Sequence, residues 1–396
     1  MSDPDCDVLI LGASFAGIEV YHQLRRSRAG RRLAITIVDR QASHGYIPLC
    51  QERLVLRLPP ANSELPTQRC VHAPAARYLV DEVLGLDPDS HTVSLASGAQ
   101  LRARFIVVAL GSDLAPPPAL PGHQHLLGYK LAHEFAASQP RLLAALARPA
   151  HLVVIGGGIS GVELAGELAH LARVRPPGTH APQVTLVDAG DRLLRNLTAR
   201  AGRMAARKLI AQGVQLRLRT RVLAVGERNL QLHADDGQPQ TVDHDLAFWA
   251  GGVRPAGVLA RLDLPHTPGG WLAVGPTLQC HPERPDAPIF ACGDAVRVLG
   301  GTGEWPTMQR AIECLWQAKI VAKNLLALAT ASAGQPPALR PHSLTADFPH
   351  GVSVGAASMI VYGPLAVELG PVGVWFRRFL MHQYFRRYGG HRRRSP

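Results

Sequence analysis

The sequence predicts an α/β fold: parallel sheets with helices on their faces, arranged as two nucleotide-binding units, the second inserted in the first, plus a small C-terminal domain. Three observations predict it. A strand-length apolar run, a glycine-rich turn and a helix-like stretch follow one another at residues 8–17 and again at residues 152–163. A second apolar run ending in aspartate comes after each, at residues 35–39 and 184–188. Each unit then closes on an apolar run that stops at a glycine turn, residues 105–112 and 245–255. The repeat is therefore of a whole unit and not of a motif.

The first turn reads Gly12-Ala13-Ser14-Phe15-Ala16-Gly17 and the second Gly156-Gly157-Gly158-Ile159-Ser160-Gly161. In the strand–turn–helix context this is the dinucleotide fingerprint of a Rossmann-like unit. The first glycine turns the chain tightly off its strand, the second lets backbone approach a pyrophosphate, and the third lets helix and strand pack closely. The pyrophosphate then rests on the positive helix N-terminus. Ser14 stands at the middle position of the first copy and adds only a hydroxymethyl group. Asp39 and Asp188 end the following strands, where a carboxylate accepts ribose hydroxyls. Two fingerprints imply two dinucleotides, and electron transfer between them is their obvious joint use.

The remaining elements follow in order. A proline-rich stretch with Pro116, Pro117, Pro118 and Pro121 marks a crossover between units. Residues 162–171 read as a helix whose Ala165, Gly166 and Ala169 let it lie close on its sheet. Near residue 270 the chain returns to the first unit: residues 289–295 read as a buried strand ending in Gly293-Asp294-Ala295. A helix is expected from about Thr307 to Ala329, then a Gly/Pro-rich linker. The resulting division is 1–118 with 268–335, then 119–267, then 336–396.

Composition limits the alternatives. The chain has 396 residues, 46% of them apolar, a length that accommodates two or three domains. No apolar run reaches the roughly 18 residues of a membrane-spanning helix, and the acidic N-terminus does not read as a signal. Six cysteines lie far apart with no CxxC, which fits a reduced cytoplasmic protein better than a disulfide scaffold, and no metal site is expected. The net charge is +12 and the pI about 10. From Arg377 onward there are seven arginines and no carboxylate. On a helical wheel Arg378, His382 and Arg386 share one face. Leu380, Met381, Tyr384, Phe385 and Tyr388 share the other, which Arg377 interrupts. Such a helix suits an anionic membrane surface; a dimer contact is the alternative. No nucleic-acid-binding signature accompanies the basic tail.

These residues resemble the two-dinucleotide-domain flavoproteins of the pyridine nucleotide-disulfide oxidoreductase superfamily. In it the first fingerprint takes FAD and the second NAD(P)H. The run ending in Gly293-Asp294 looks like its second FAD motif, whose aspartate binds the ribityl chain. Within the superfamily the chain looks most like type II NADH dehydrogenases, the single-subunit NADH:quinone oxidoreductases. Val38-Asp39-Arg40 with His44, Pro48 and Leu49, the segment from Gly156 through Gly166, and Trp249-Ala250-Gly251-Gly252-Val253 carry that likeness. So does the stretch 306–313, which resembles a quinone-pocket helix start, with Met308 and Glu313 standing where the family has Ala and Gln.

The resemblance implies an FAD-dependent oxidoreductase that passes a hydride from NADH to FAD and two electrons to a quinone-type acceptor. FAD would be bound by Gly12, Ser14, Phe15, Ala16, Gly17, Asp39, Arg40, Pro48, Ala109, Gly111, Gly293 and Asp294. NADH would be bound by Gly156, Gly158, Ile159, Gly161, Asp188, Gly251 and Gly252. Glu163 would position the nicotinamide, and Gln309 and Glu313 would touch quinone. Asp188 repels a 2′-phosphate and so favours NADH over NADPH, a preference Arg192 could soften. The chain would sit peripherally on the inner face of the cell membrane. Relatives such as glutathione reductase carry a cysteine pair after the ribose aspartate; here only Cys50 is present, read as a small apolar residue. Other readings stay open: a sulfide:quinone reductase-like enzyme, a single-cysteine NADH-dependent disulfide or peroxide reductase acting through Cys50, and a flavin/NADH-sensing binding protein with a basic tail.

Overall fold

The computed structural model describes residues 3–114, 116–174, 177–235, 237–284, 287–300, 303–305, 310–332, 337–343 and 348–389. The first unit opens with β1 (Cys6–Leu11), α1 (Phe15–Arg26) and β2 (Ile35–Asp39), then the short helix α2 (Cys50–Leu54). Strands β3 (Ala76–Val80), β4 (Val83–Asp87), β5 (Thr92–Leu95) and β6 (Gln100–Val108) complete a sheet of order β3-β2-β1-β6-β5-β4. β1 runs parallel to β2 and β6, with Val8 opposite Ile35 and Phe105. Val8, Leu9, Ile10 and Leu11 are fully buried. A central parallel strand is covered on both faces, which is why β1 reads as an unbroken apolar run.

The second unit repeats the plan: β7 (His151–Ile155), α3 (Ile159–Val174), β8 (Gln183–Val187), α4 (Ala199–Ala211), β9 (Gln215–Arg217) and β10 (Leu246–Trp249). Its sheet has the order β9-β8-β7-β10 and is parallel throughout. An antiparallel trio, Thr220–Val225, Asn229–Ala234 and Pro239–Asp243, is inserted before β10. The chain then returns: β11 (Ile289–Ala291) pairs in parallel with β6 of the first sheet. Helix α5 (Ala311–Thr330) packs along α1. It begins later than the expected Thr307, and residues 306–309 lie outside the described residues.

The C-terminal region has two parts that pack on different cores. Strands β12 (His350–Val354), β13 (Ala357–Tyr362) and β14 (Leu365–Leu369) form an antiparallel sheet. Val352, Val354, Met359 and Val361 join the core of the second unit. Helix α6 (Gly370–Tyr388) instead lays Tyr384 and Tyr388 into the core of the first. Phe15 of α1 meets Tyr384 at 4.8 Å between ring centroids, and His44 Nε2 lies 2.8 Å from the Tyr384 hydroxyl. Burial pushes His44 down to about 4, so it packs as a neutral imidazole.

This docking corrects the expected faces of the last helix. Met381, Tyr384 and Tyr388 face the protein, and Arg377 lies with them because it reaches a buried carboxylate. Arg378 pairs with Glu52 at 2.5 Å and Arg387 with Glu19 at 2.7 Å, so these cations are used internally. The N-terminal half of the open surface is apolar, with Trp375, Phe376, Phe379 and Leu380 66%, 48%, 40% and 44% exposed, while His382 and Arg386 are exposed further along. His391 to Arg394 lie outside the described residues. Among the described residues no helix is long and apolar enough to cross a membrane.

Gly166 on α3 marks where the second unit and the C-terminal sheet touch. A Cβ there would stand 2.6 Å from Gly355 N and 2.9 Å from Val354 C, both backbone atoms. Gly166→Ala is expected to cost about 1–3 kcal/mol by overpacking. A thermal melt of the purified protein checks this: the melting temperature falls by several degrees relative to wild type.

Candidate active site

The first cradle forms where β1 ends. Gly12 sits at φ +101°, and a Cβ on it would lie 2.3 Å from the Ala109 carbonyl oxygen. A Cβ on Gly17 would lie 1.9 Å from Gly12 O, so α1 rests directly on the turn. Ser14 is the residue before α1, and its side chain makes no capping bond. The N–H groups of the first helical turn therefore face the cleft beside Ser14, Phe15 and Ala16. Asp39, at the end of β2, accepts hydrogen bonds from Ala13 N–H at 2.6 Å and Gln41 N–H at 2.8 Å. Burial raises its carboxyl, and these two bonds oppose the shift.

The cleft runs on past Pro48, Arg40, Ala109 and Gly111 to Gly293 and Asp294. There the Ser112 hydroxyl donates to Asp294 Oδ2 at 3.3 Å, and Lys130 Nζ donates to Ser112 O at 2.8 Å and to its Oγ at 3.0 Å. Gly293, at φ +80°, donates its N–H to Gln317 Oε1 at 2.7 Å. The link between the β6 glycine turn and the Gly293 turn thus runs through Ser112, which Lys130 holds from the other side. Nothing in the local sequence around Lys130 marks it for this.

The second cradle has the same construction. Gly156 has φ +118°, and its Cβ would lie 2.5 Å from Ala250 C and O; that of Gly161 would lie 1.8 Å from Gly156 O. Gly158 faces open space, with nothing within 4 Å of a Cβ. Asp188 accepts from Gly157 N–H at 2.6 Å and Gly190 N–H at 2.7 Å. Ile159, Gly251 and Gly252 line the cleft, and Gly252 has φ +132°. Arg192 lines it too, but its guanidinium is held by the carbonyls of Leu194, Arg195 and Leu197 at 2.9–3.1 Å.

The two cradles open into one cavity of about 1330 Å³. That exceeds the range of roughly 300–1,000 Å³ for a site holding one small ligand. The residues fit a dinucleotide at each end: Gly12, Gly17, Gly156 and Gly161 admit no side chain, Gly158 leaves space for backbone approach, and each following strand ends in a carboxylate.

Glu163 lies between the cradles, 5% exposed. Its Oε1 is 2.6 Å from Arg377 Nη1 and accepts from Ser353 N–H at 3.0 Å; its Oε2 accepts from Gln51 Nε2 at 2.8 Å. Arg377 also donates to Pro48 O at 2.7 Å. Burial raises the Glu163 carboxyl, and Arg377 opposes that shift first. Cys50 sits beside it; burial and then the Glu163 charge push its thiol up to about 12. A thiol held protonated at neutral pH is a poor nucleophile. All six cysteines are free, so no disulfide relay is built here.

Two expected quinone contacts need correction or fall outside view. Gln309 lies outside the described residues. Glu313 is buried away from the cleft, 2.5 Å from His342 Nε2, and accepts from Gln317 Nε2 at 3.2 Å. Arg310, Ala311 and Cys314 line the cleft instead. Residues 313 and 317 are one turn apart and share the helix face turned inward. The sequence missed Gln51, Lys130, Ser353 and Arg377, whose roles arise only from contacts distant along the chain.

One turn further along α3, Glu167 is fully buried and pairs with Arg57 at 2.6 Å. Burial raises its carboxyl from the ordinary 4.5 to about 7. A raised folded-state value means the native state keeps a proton the unfolded state has lost between those two pH values. The stability contribution is therefore complete below about pH 4.5 and is lost as pH rises towards 7. In melting curves between pH 5 and 7, wild type is expected to lose stability relative to Glu167→Gln as pH rises; a difference flat with pH contradicts this.

Comparison with known proteins places this geometry. A family model described as pyridine nucleotide-disulphide oxidoreductase matches residues 6–318. The chain is 35% identical to dihydrolipoyl dehydrogenase 3 of Pseudomonas aeruginosa over 41% of its own length, a match spanning only 32% of that protein. It is 26% identical to the demethylphylloquinone reductase NdbB of Synechocystis, with 82% of each chain covered. Its fold matches the NDH2 of Plasmodium falciparum, solved in complex with NADH, at a TM-score of 0.81, with 12% identity and coverage of 96% and 94%. Both glycine turns, the returning strand β11 and the Gly293-Asp294 turn fall inside the matched span, and the chain belongs to the pyridine nucleotide-disulphide oxidoreductase family.

Proposed function

We propose that the chain is an FAD-dependent NADH dehydrogenase that delivers two electrons to a quinone. The observation that carries this is the single cavity lined at one end by the Gly12–Gly17 turn and at the other by the Gly156–Gly161 turn. The demethylphylloquinone reductase relative, matched over most of both chains, supports a quinone as acceptor. We divide the chain into an FAD-binding domain, 1–118 with 268–335, an NADH-binding domain, 119–267, and a C-terminal membrane-association or dimerisation region, 336–396. The pairing of β11 with β6 supports that division.

FAD, when bound, supplies the two-electron exchange between NADH and the acceptor. The chain's own residues bind and orient. Gly12, Ser14, Phe15, Ala16 and Gly17 would cradle the FAD pyrophosphate, with Asp39 and Arg40 at the ribose. Pro48, Ala109, Gly111, Gly293 and Asp294 would line the rest of its path. Gly156, Gly158, Ile159, Gly161, Gly251 and Gly252 would hold NADH, with Asp188 at its ribose. Glu163, fixed by Arg377, Gln51 and Ser353, forms a rigid polar wall where the two ligands approach, and acts as a positioning residue. Holding two reactants in near-attack geometry supplies about 7–11 kcal/mol of barrier reduction.

The exposed aromatic face of α6 supports a peripheral seat on a membrane, which brings the cavity to a lipid-borne quinone. We place that seat on the inner face of the cell membrane, where a protein that oxidises cytoplasmic NADH would meet its donor.

The reading is tested by steady-state turnover of the flavin-loaded protein with NADH and a short-chain ubiquinone or menaquinone analogue. Quinone reduction that Cys50→Ser leaves within about twofold supports it, given a thiol already held protonated. Reduction of coenzyme A disulfide or of quinone by sulfide, lost in Cys50→Ser, would replace it. The engagement of Arg192 by carbonyls supports Asp188 as the main determinant of nucleotide preference. Asp188→Ala is expected to shift the NADH/NADPH ratio of kcat/KM towards NADPH by about tenfold, mostly through KM.

A further inference from the structure

Outside the cavity, the strongest unassigned feature is a groove of about 670 Å³ between α4 and β14. Arg200, Arg203 and Arg207 follow one another at helical spacing on the open side of α4 and line it. None of the three makes an ion pair among the described residues. Lys208 does, with Glu368 at 2.5 Å, and Glu368 is the one carboxylate among the lining residues. The groove thus carries three uncompensated guanidinium groups. On its other wall, beside Glu368, Val367 lines it and is 51% exposed.

Val367 belongs to a row. Leu365, Val367 and Leu369 alternate along β14, all exposed, and β14 is an edge strand of its sheet. An exposed apolar edge strand is a liability unless something covers it. The row leads directly into α6, whose exposed Val372 and Trp375 continue the apolar surface. A row of arginines beside exposed apolar side chains matches a phospholipid leaflet: charged phosphate above, acyl chain beside it. Arginine forks hold phosphate oxygens in bidentate geometry. No aromatic ring lines the groove, so it offers no stacking platform for single-stranded bases.

We propose that this groove is a binding site for anionic phospholipid headgroups, with Arg203 and Arg207 holding the phosphate while the β14 row enters the leaflet. The site extends the membrane seat from the C-terminal helix to the NADH-binding domain, and it rests on the peripheral-membrane reading given above. It commits the protein to leaflets rich in acidic lipid and fixes the face of the second domain that lies against them.

The test is sedimentation of the full-length, flavin-loaded protein with vesicles of phosphatidylcholine alone and of phosphatidylcholine with phosphatidylglycerol. Wild type is expected to bind the acidic vesicles more tightly. Arg203→Gln with Arg207→Gln should weaken that binding by about tenfold and erase most of the preference. NADH–ferricyanide turnover should stay unchanged, since neither residue lines the cavity. Trp375→Ser with Phe379→Ser reports on the helix separately. If the glutamine variant binds acidic vesicles like wild type while the serine variant does not, the groove proposal is overturned and the helix reading stands. If wild type binds neither vesicle, both fall. If the glutamine variant instead loses retention of a short RNA or DNA duplex with vesicle binding intact, the groove is a nucleic-acid surface and the proposal is overturned.

Discussion

Close backbone contact at two glycine turns sets the position of everything else in the site. Gly12 lies against the Ala109 carbonyl and Gly156 against Ala250, at separations no Cβ could occupy. Each contact brings the end of a fingerprint strand against the end of the strand beside it. The helix that follows is thereby aimed with its N-terminus into the cavity. The same contact fixes Gly111 and Ser112, and through Ser112 the Lys130 and Asp294 side chains. A side chain at either glycine would spread two strands and shift the cavity wall together with the helix that would carry a pyrophosphate.

The second constraint is the C-terminal helix. Three of its arginines, Arg377, Arg378 and Arg387, pair with the buried carboxylates Glu163, Glu52 and Glu19, which belong to α3, α2 and α1. Removing one partner of a buried pair typically costs about 3–5 kcal/mol, so such pairs specify how the helix docks. Arg377 does so at the cavity wall itself. The high positive charge of the chain is therefore partly consumed inside it, and positive groups left facing outward include Arg386 on this helix and the arginines of α4.

The parts of the site legible in the sequence were those set by local backbone chemistry. Gly12, Gly156, Asp39, Asp188 and Gly293 announce themselves because a tight turn at the end of a strand restricts the residue types on either side. The parts that were not legible depend on long-range partners. Arg377 looks like an interruption of an apolar face until Glu163 is seen opposite it, more than two hundred residues earlier in the chain. Glu313 was expected in the cleft because the stretch 306–313 resembles a quinone-pocket helix start, and a resemblance does not fix which face of the helix turns to the cleft; Gln317 and His342 show that Glu313 turns inward. The apolar and basic faces of the last helix were misjudged for a related reason. A helix with one face on the protein and another open cannot be oriented by its own pattern alone.

The central claim is that two cradles of one cavity bring NADH against a bound flavin. Anaerobic mixing of the flavin-loaded protein with NADH, followed through the flavin absorbance, tests it most directly when wild type is compared with Gly156→Val. Wild type is expected to bleach rapidly, while the variant keeps its flavin and loses rapid bleaching by NADH, because only the second cradle is damaged. Equal bleaching in the two proteins, or a wild-type flavin that NADH leaves oxidised, would contradict the claim.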